Sequence, residues 1–308
     1  MFTRKTVVLA KIETAYGTDP IPTSVDAIAA TELEIRPVGE TIERNLLRGT
    51  LSPVLVCRGL KKVDLSFKTE LKGTGTPGML PAHGWEGVLF RACGMAETVN
   101  AGVDILYSPV STDFASCTIY VYRDRIFHKL TGCRGSFRIS IEAGKPAFAE
   151  WRFHGLYNSP ADMSPSSPVF STLLPPVAAG AGFTIAGFAP VAEKIEFDLN
   201  NTIAERKSLS AEDGIAGFEI TGRRPQGSFD PEAVLESTHP FWDNWANAPA
   251  LALNLSLGTL SGNRFVIEAP ALQYRDIASS DKDGRILYQV PFTLAMSSGD
   301  DEFGIRFL

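Results

Sequence analysis

The chain has 308 residues, 44% of them hydrophobic and 21% charged, with a net charge of −6 and a pI near 5.4. Such a composition excludes an intrinsically disordered chain. It also argues against a protein that grips nucleic acid, because phosphate binding is driven by Lys and Arg releasing counterions.

At the N-terminus, the apolar run at 7–10 is too short for a signal-peptide core, and Lys11 and Glu13 follow at once. No stretch approaches the ~18 apolar residues of a membrane helix. The longest apolar run, 173–188, is interrupted by Pro175, Pro176 and several glycines. The expectation is a chain made in a cytoplasm, with no membrane partner. The four cysteines, Cys57, Cys93, Cys117 and Cys133, contain no C-x-x-C pair, so reduced and mostly buried thiols are expected rather than a metal site.

Short strand patterns succeed one another. Residues 5–12 are rich in β-formers, and 62–68 alternate polar and apolar, which places one face in a core and one in solvent. Segments 118–122, 136–141 and 149–154 behave alike, as do 194–199, 217–220, 251–257, 264–268 and 286–294. Gly, Pro, Asn and Asp bound these runs. Two helices are predicted. Trp85, Val88, Leu89, Ala92 and Cys93 share one face at helical spacing, with Gly94 as the stop; a shorter helix covers 239–245, with Pro240 near its start. Residues 158–190 are crowded with proline, serine, glycine and alanine, and read as an extended linker.

The two halves echo one another. Thr41-Ile42 matches Thr202-Ile203 at an offset of 161, while Lys61-Lys62 matches Arg223-Arg224, Ser66-Phe67 matches Ser228-Phe229, and Glu70 matches Glu232, all at 162. One inserted residue reconciles the offsets. With the shared order of strands and helix, this predicts a tandem duplication: an N-terminal arm at 1–30, a first domain at 31–157, the linker at 158–190 and a second domain at 191–308.

Catalytic patterns are missing. The sequence contains no G-x-S-x-G or H-E-x-x-H, and the Gly-rich segment 73–78 lacks the Lys-Ser/Thr ending of a phosphate loop and reads as a flexible hairpin loop. His83, His128, His154 and His239 are scattered. The acidic run 299–302 reads as a solvated turn rather than a calcium loop. Tyr120, Tyr122, Arg123 and Arg125 interleave aromatic and basic side chains, a pattern that alternating strand faces explain as well as a single-strand stacking surface does. No catalytic, metal or cofactor-binding residues are assigned, and an enzyme is not expected.

Lys11, Glu13, the run Tyr16-Gly17-Thr18-Asp19-Pro20, and Pro22 stand in the spacing K-x-E-x-x-Y-G-T-D-P-x-P. With Ala29-Ala30-Thr31-Glu32-Leu33-Glu34-Ile35, Glu43-Arg44-Asn45 and Leu51-Ser52-Pro53 after it, this opening resembles the tail tube proteins of long-tailed, non-contractile bacteriophages over about the first 70 positions. The resemblance implies a mainly β fold: two tandem tail-tube-like sandwich or barrel domains, each with one short flanking α-helix. It implies sheets that join between subunits into an inner barrel, and rings that stack into a tube conducting DNA. In that family a long loop between early strands reaches the next ring. The candidates are Leu46, Leu47, Arg48, Gly49, Thr50, Leu51 and Ser52 in the first half, and Lys207, Ser208, Leu209, Ser210, Ala211, Glu212 and Asp213 in the second. Tail tube rings present six domains around the bore, so a two-domain chain implies a homotrimer of pseudo-sixfold symmetry. The partners implied are further copies, the tail terminator, tape measure and distal tail proteins, and double-stranded DNA in transit past a net negative wall. The location implied is the virion tail. The rival readings are another ring-forming tail component, such as a terminator or baseplate hub, and a carbohydrate- or other ligand-binding β-module.

Overall fold

The computed structural model describes residues 2–165 and 167–308, and its fold is mainly β. The first half contains β1 (Thr6–Ile12), β2 (Ala27–Ile28), β3 (Ala30–Ile42), β4 (Cys57–Glu70), α1 (Gly87–Ala92), β5 (Met95–Asn100), β6 (Asp104–Pro109), β7 (Cys117–Arg123), β8 (Ile126–Glu142) and β9 (Phe148–Leu156). The rest contains β10 (Ala161–Asp162), β11 (Gly182–Ile185), β12 (Ala192–Asp198), β13 (Asn201–Lys207), β14 (Ile215–Arg223), β15 (Gln226–Pro231), α2 (Phe241–Asn247), β16 (Leu251–Leu257), β17 (Phe265–Tyr274), β18 (Ala278–Lys282), β19 (Arg285–Ala295) and β20 (Gly304–Phe307).

The period-two pattern builds the core. Val63, Leu65 and Phe67 of β4, Phe137, Ile139 and Ile141 of β8, and Trp151 and Phe153 of β9 are buried on one sheet face. Leu89 and Phe90 of α1 cover that face. The Phe90 ring lies 4.9 Å from Trp151, 4.9 Å from Tyr107 and 5.0 Å from Phe137. Aromatic pairs at this spacing add about 0.5–1.5 kcal/mol each beyond their burial. The helix is shorter than its apolar periodicity, because Cys93 already leaves helical geometry and Gly94, at φ +81°, closes the turn.

One sheet path runs through both halves. Its strands lie in the order β3-β4-β9-β8-β12-β15-β19-β18, every pair antiparallel. The long strand β8 makes this possible. One of its edges pairs with β9; the other pairs with β7 through residues 126–133 and then with β12 through residues 138–142. Strand β7 continues to β1 and β2. In the second half β17 pairs with β16, which pairs with β11, and residues 275–277 carry the chain into β18. Strand β20 joins β17 to the hairpin β5-β6.

The hairpins β3-β4 and β12/β13-β14/β15 share their register. Glu34 faces Ser66 and Gly39 faces Lys61 in the first. Displaced by 162 positions, Glu196 faces Ser228 and Asn201 faces Arg223 in the second. Both carry a bulge just past that second pair, after which Thr41 faces Arg58 and Ile203 faces Ile220. The ladders therefore place Thr41 level with Ile203, and no inserted residue is needed.

Several segments are tied down more firmly than their composition implies. Thr6–Ile12, within the stretch expected as an arm, pairs residue for residue with β7. Within the proline-rich stretch, β10 pairs with β8 and β11 with β16. The Gly-rich segment 73–78 is not a hairpin loop. It docks on the far half, where Gly73 N–H donates to Asn263 Oδ1 (2.9 Å) and Gly75 N–H to Gly262 O (2.7 Å). Strand β7 is buried on both faces: Ile119 and Val121 lie in the main core, and Tyr120 and Tyr122 pack with Phe127 in a smaller cluster. Cys93, Cys117 and Cys133 are buried and Cys57 is exposed, all four as free thiols.

Candidate assembly surface

The N-terminal signature folds into a polar clamp. The buried Glu13 carboxylate accepts four hydrogen bonds, from Gly17 N–H (2.7 Å), Ser116 Oγ (2.6 Å), Thr118 Oγ1 (2.7 Å) and Gly132 N–H (2.7 Å). Gly17 supports this turn at φ +74°. Asp19 accepts the Tyr120 hydroxyl (2.6 Å) and lies 3.4 Å from Lys129 Nζ. The Tyr16 hydroxyl donates to Gly132 O (2.9 Å) and accepts Phe218 N–H (2.7 Å), while Arg134 lies 4.9 Å over its ring and donates to Phe218 O (2.9 Å). Burial pushes the Tyr16 phenol up to about 12, so it stays protonated and keeps both bonds. Tyr16 and Arg134 thus fasten the first half to β14. The spacing of the signature marks Tyr16, but nothing local marks Arg134 as its partner.

Beyond this clamp two hairpin ends project. Residues 43–56, which contain the first set of loop candidates, form no strand. Leu47 and Leu51 are as exposed as in an extended chain (105% and 106%), and Leu46, Leu55 and Val56 are exposed beside them. The second set begins at Lys207, the last residue of β13, and continues along the shorter turn to β14. There Leu209 is fully exposed (109%), but Asp213 holds Lys61 through its side chain (2.7 Å) and through Lys61 N–H to Asp213 O (3.2 Å). The fold therefore brings the second set against the base of the first.

Several backbone edges are also open, two of them at the ends of the eight-strand path. Among the described residues β3 has a ladder partner only in β4, and β18 only in β19. A long uncapped edge is a template for pairing with another chain.

The polar face of this sheet is a mesh of ion pairs. Asp64 meets His154 Nδ1 (2.7 Å), Lys62 (3.5 Å) and Arg36 (3.5 Å). Burial works to raise the Asp64 carboxyl, but these three partners outweigh it and hold it below its ordinary value. Asp198 meets Arg138 and Arg152, each at 3.3 Å, and Lys194 meets Glu196 at 2.6 Å. Each of the bases named here thus lies within 3.5 Å of an acid. Part of the 299–302 run is not a solvated turn: Glu302 is buried, Arg223 binds both Asp300 and Glu302, and Asp301 accepts the N–H groups of Ser297 (2.9 Å) and Ser298 (2.9 Å). Among the described residues no group of three or more His, Cys, Asp or Glu is placed to hold a metal ion, and no helix is long and apolar enough to cross a membrane.

A family model described as phage tail tube protein matches residues 3–294. The chain belongs to that family. It is a structural tail tube protein of mainly β fold, a component of a virion tail. No curated protein matches it. Family membership implies self-assembly of the chain into a tube.

Proposed function

We propose that the chain contains two tube units, at 31–157 and 191–308, and that three chains close a pseudo-sixfold ring. The rings stack into a tube through which double-stranded DNA passes. The observation that carries this reading is the common register of the two hairpins, Glu34 facing Ser66 and Glu196 facing Ser228, within one continuous sheet. Two units per chain and six per ring require three chains, and closed cyclic symmetry repeats the same contact until the ring shuts. Residues 43–56 supply the contact to the next ring, because their leucines have no cover within the chain. The ion-paired polar face forms the bore, where matched charges give DNA phosphates no basic stripe to hold. The role is mechanical, without catalysis or cofactor. The tube ends meet the terminator and distal tail proteins, the bore holds the tape measure protein until ejection, and the chain is made in the host cytoplasm.

Electron microscopy of the purified protein with mass measurement of single rings tests this. Three-chain rings that stack into tubes are the expected result. Six chains per ring would refute the two-unit reading, and rings that never stack would favour a terminator.

A further inference from the structure

The contact between β8 and β12 joins the two halves of one chain through five residue pairs. Lys194 faces Glu142, Ile195 faces Ile141, Glu196 faces Ser140, Phe197 faces Ile139 and Asp198 faces Arg138. The ladders locate the equivalent positions at the open ends of the sheet. On one side the displacement of 162 carries Lys194–Asp198 back to Glu32–Arg36 on the free edge of β3. On the other side Ser66 faces Arg152 and Ser228 faces Pro291, so β9 corresponds to β19 with Phe148 level with Leu287. Phe148 faces Ser140, and Leu287 faces Ser280. Ser280 therefore holds the place of Ser140, and Lys282 holds that of Glu142.

From this correspondence we infer that the junction between neighbouring chains copies the internal one: Glu32–Arg36 of one chain pairs antiparallel with Ala278–Lys282 of a second copy, Glu32 facing Lys282, Glu34 facing Ser280 and Arg36 facing Ala278. The inference rests on the ring proposed above and specifies its seam. The chemistry at the two seams agrees. The internal junction sets Glu196 against Ser140, and the new one sets Glu34 against Ser280. The facing positions Lys194 and Glu142 return as Glu32 and Lys282, with the signs exchanged; in the single chain Glu32 meets Lys68 and Lys282 meets Glu193. All five residues Ala278–Lys282 are exposed in the single chain, as are Glu32, Glu34 and Arg36. The seam also has a defined end. Internally, Leu199 N–H donates to Phe137 O (3.1 Å), one step past the ladder. The residue level with Leu199 on β3 is Pro37, which has no N–H to give, so pairing between chains stops at Arg36.

Cysteine pairing tests the register in a Cys57→Ser background. Glu34→Cys with Ser280→Cys should give, under mild oxidation, a three-chain species on a non-reducing gel. Glu34→Cys with Ser279→Cys, one residue out of register, should give at least tenfold less. Glu196→Cys with Ser140→Cys reports whether this type of pair oxidises at all, as an internal link that leaves the chain single. Rings that form while the Glu34/Ser280 pair stays reduced and the internal control oxidises would overturn the seam and leave the ring standing. A wild-type chain that forms no rings would overturn both. Amide exchange on the unmodified protein reads the same seam without substitutions. Residues 278–282 should exchange at least tenfold more slowly in rings than in single chains, and equal rates in the two states would refute the pairing.

Discussion

Replacing Leu47 and Leu51 together by serine should abolish tube formation while leaving each ring intact. Both side chains are fully exposed in the single chain, so neither contributes to its fold. Surface changes of this kind alter folding stability by about 0.5 kcal/mol or less. On the proposed reading each leucine is buried against the adjoining ring in the stacked tube, and burying a leucine side chain is worth roughly 1.5–3 kcal/mol. Losing two removes about 3–6 kcal/mol from each arm. At about 1.4 kcal/mol per factor of ten, the contact weakens by roughly two to four powers of ten. The arms of one ring act together, so the deficit compounds across the interface. Mass photometry should count rings at wild-type levels, and negative-stain microscopy should find them unstacked at concentrations where the wild type makes tubes. The melting temperature should not move. Tubes at the wild-type critical concentration, with both serines present, would refute the assignment of 43–56 as the link between rings.

Glu13→Ala removes the acceptor of four hydrogen bonds and leaves the buried donors of Ser116, Thr118 and Gly132, and the half-buried one of Gly17, without it. Urea unfolding should show a loss of about 3–5 kcal/mol, and a loss under 1 kcal/mol would contradict the clamp. Glu86 is raised from 4.5 to about 7 by burial, against weaker opposing effects of its own backbone N–H and Lys72. The folded state holds this proton more tightly than the unfolded state, so Glu86 lowers stability as pH rises from about 4.5 to about 7 and the penalty is constant above. At about 1.36 kcal/mol per pH unit that penalty is roughly 3 kcal/mol. Glu86→Gln should be more stable than wild type at pH 8 and lack this slope; an unchanged slope would sink the assignment.

Much of the fold is legible because strand alternation is a local signal. The 62–68 and 136–141 runs announce which side of β4 and β8 is buried, and the spacing from Trp85 to Cys93 announces α1. The hairpin echo is legible too, but Thr41-Ile42 and Thr202-Ile203 mislead it by one position. Identity of residue types carries no information about register, and the ladders set Thr41 level with Ile203. The clamp is half visible. Glu13, Tyr16, Gly17 and Asp19 stand in a recognisable spacing, but their partners Thr118, Gly132 and Phe218 lie far along the chain with no pattern of their own. The β8-β12 contact is not legible at all. Strand pairing depends on backbone groups that every residue shares, so nothing in 138–142 announces 194–198. The loop residues 46–52 stand out by composition, because leucines next to glycine and arginine in a long connection have no neighbouring strand to cover them.

The Tyr16 hydroxyl reaches Gly132, 116 residues away, and Phe218, 202 residues away. On a ribosome the tyrosine therefore emerges long before either partner. Contacts this distant in sequence form late, because the loops they close cost entropy before the bonds repay it. The β13-β14 hairpin is anchored to the first half only once the second has been synthesised. A chain cut after β9 lacks that anchor, and without β12 it also leaves one side of β8 unpaired at residues 138–142, an edge that in the whole chain is closed from within.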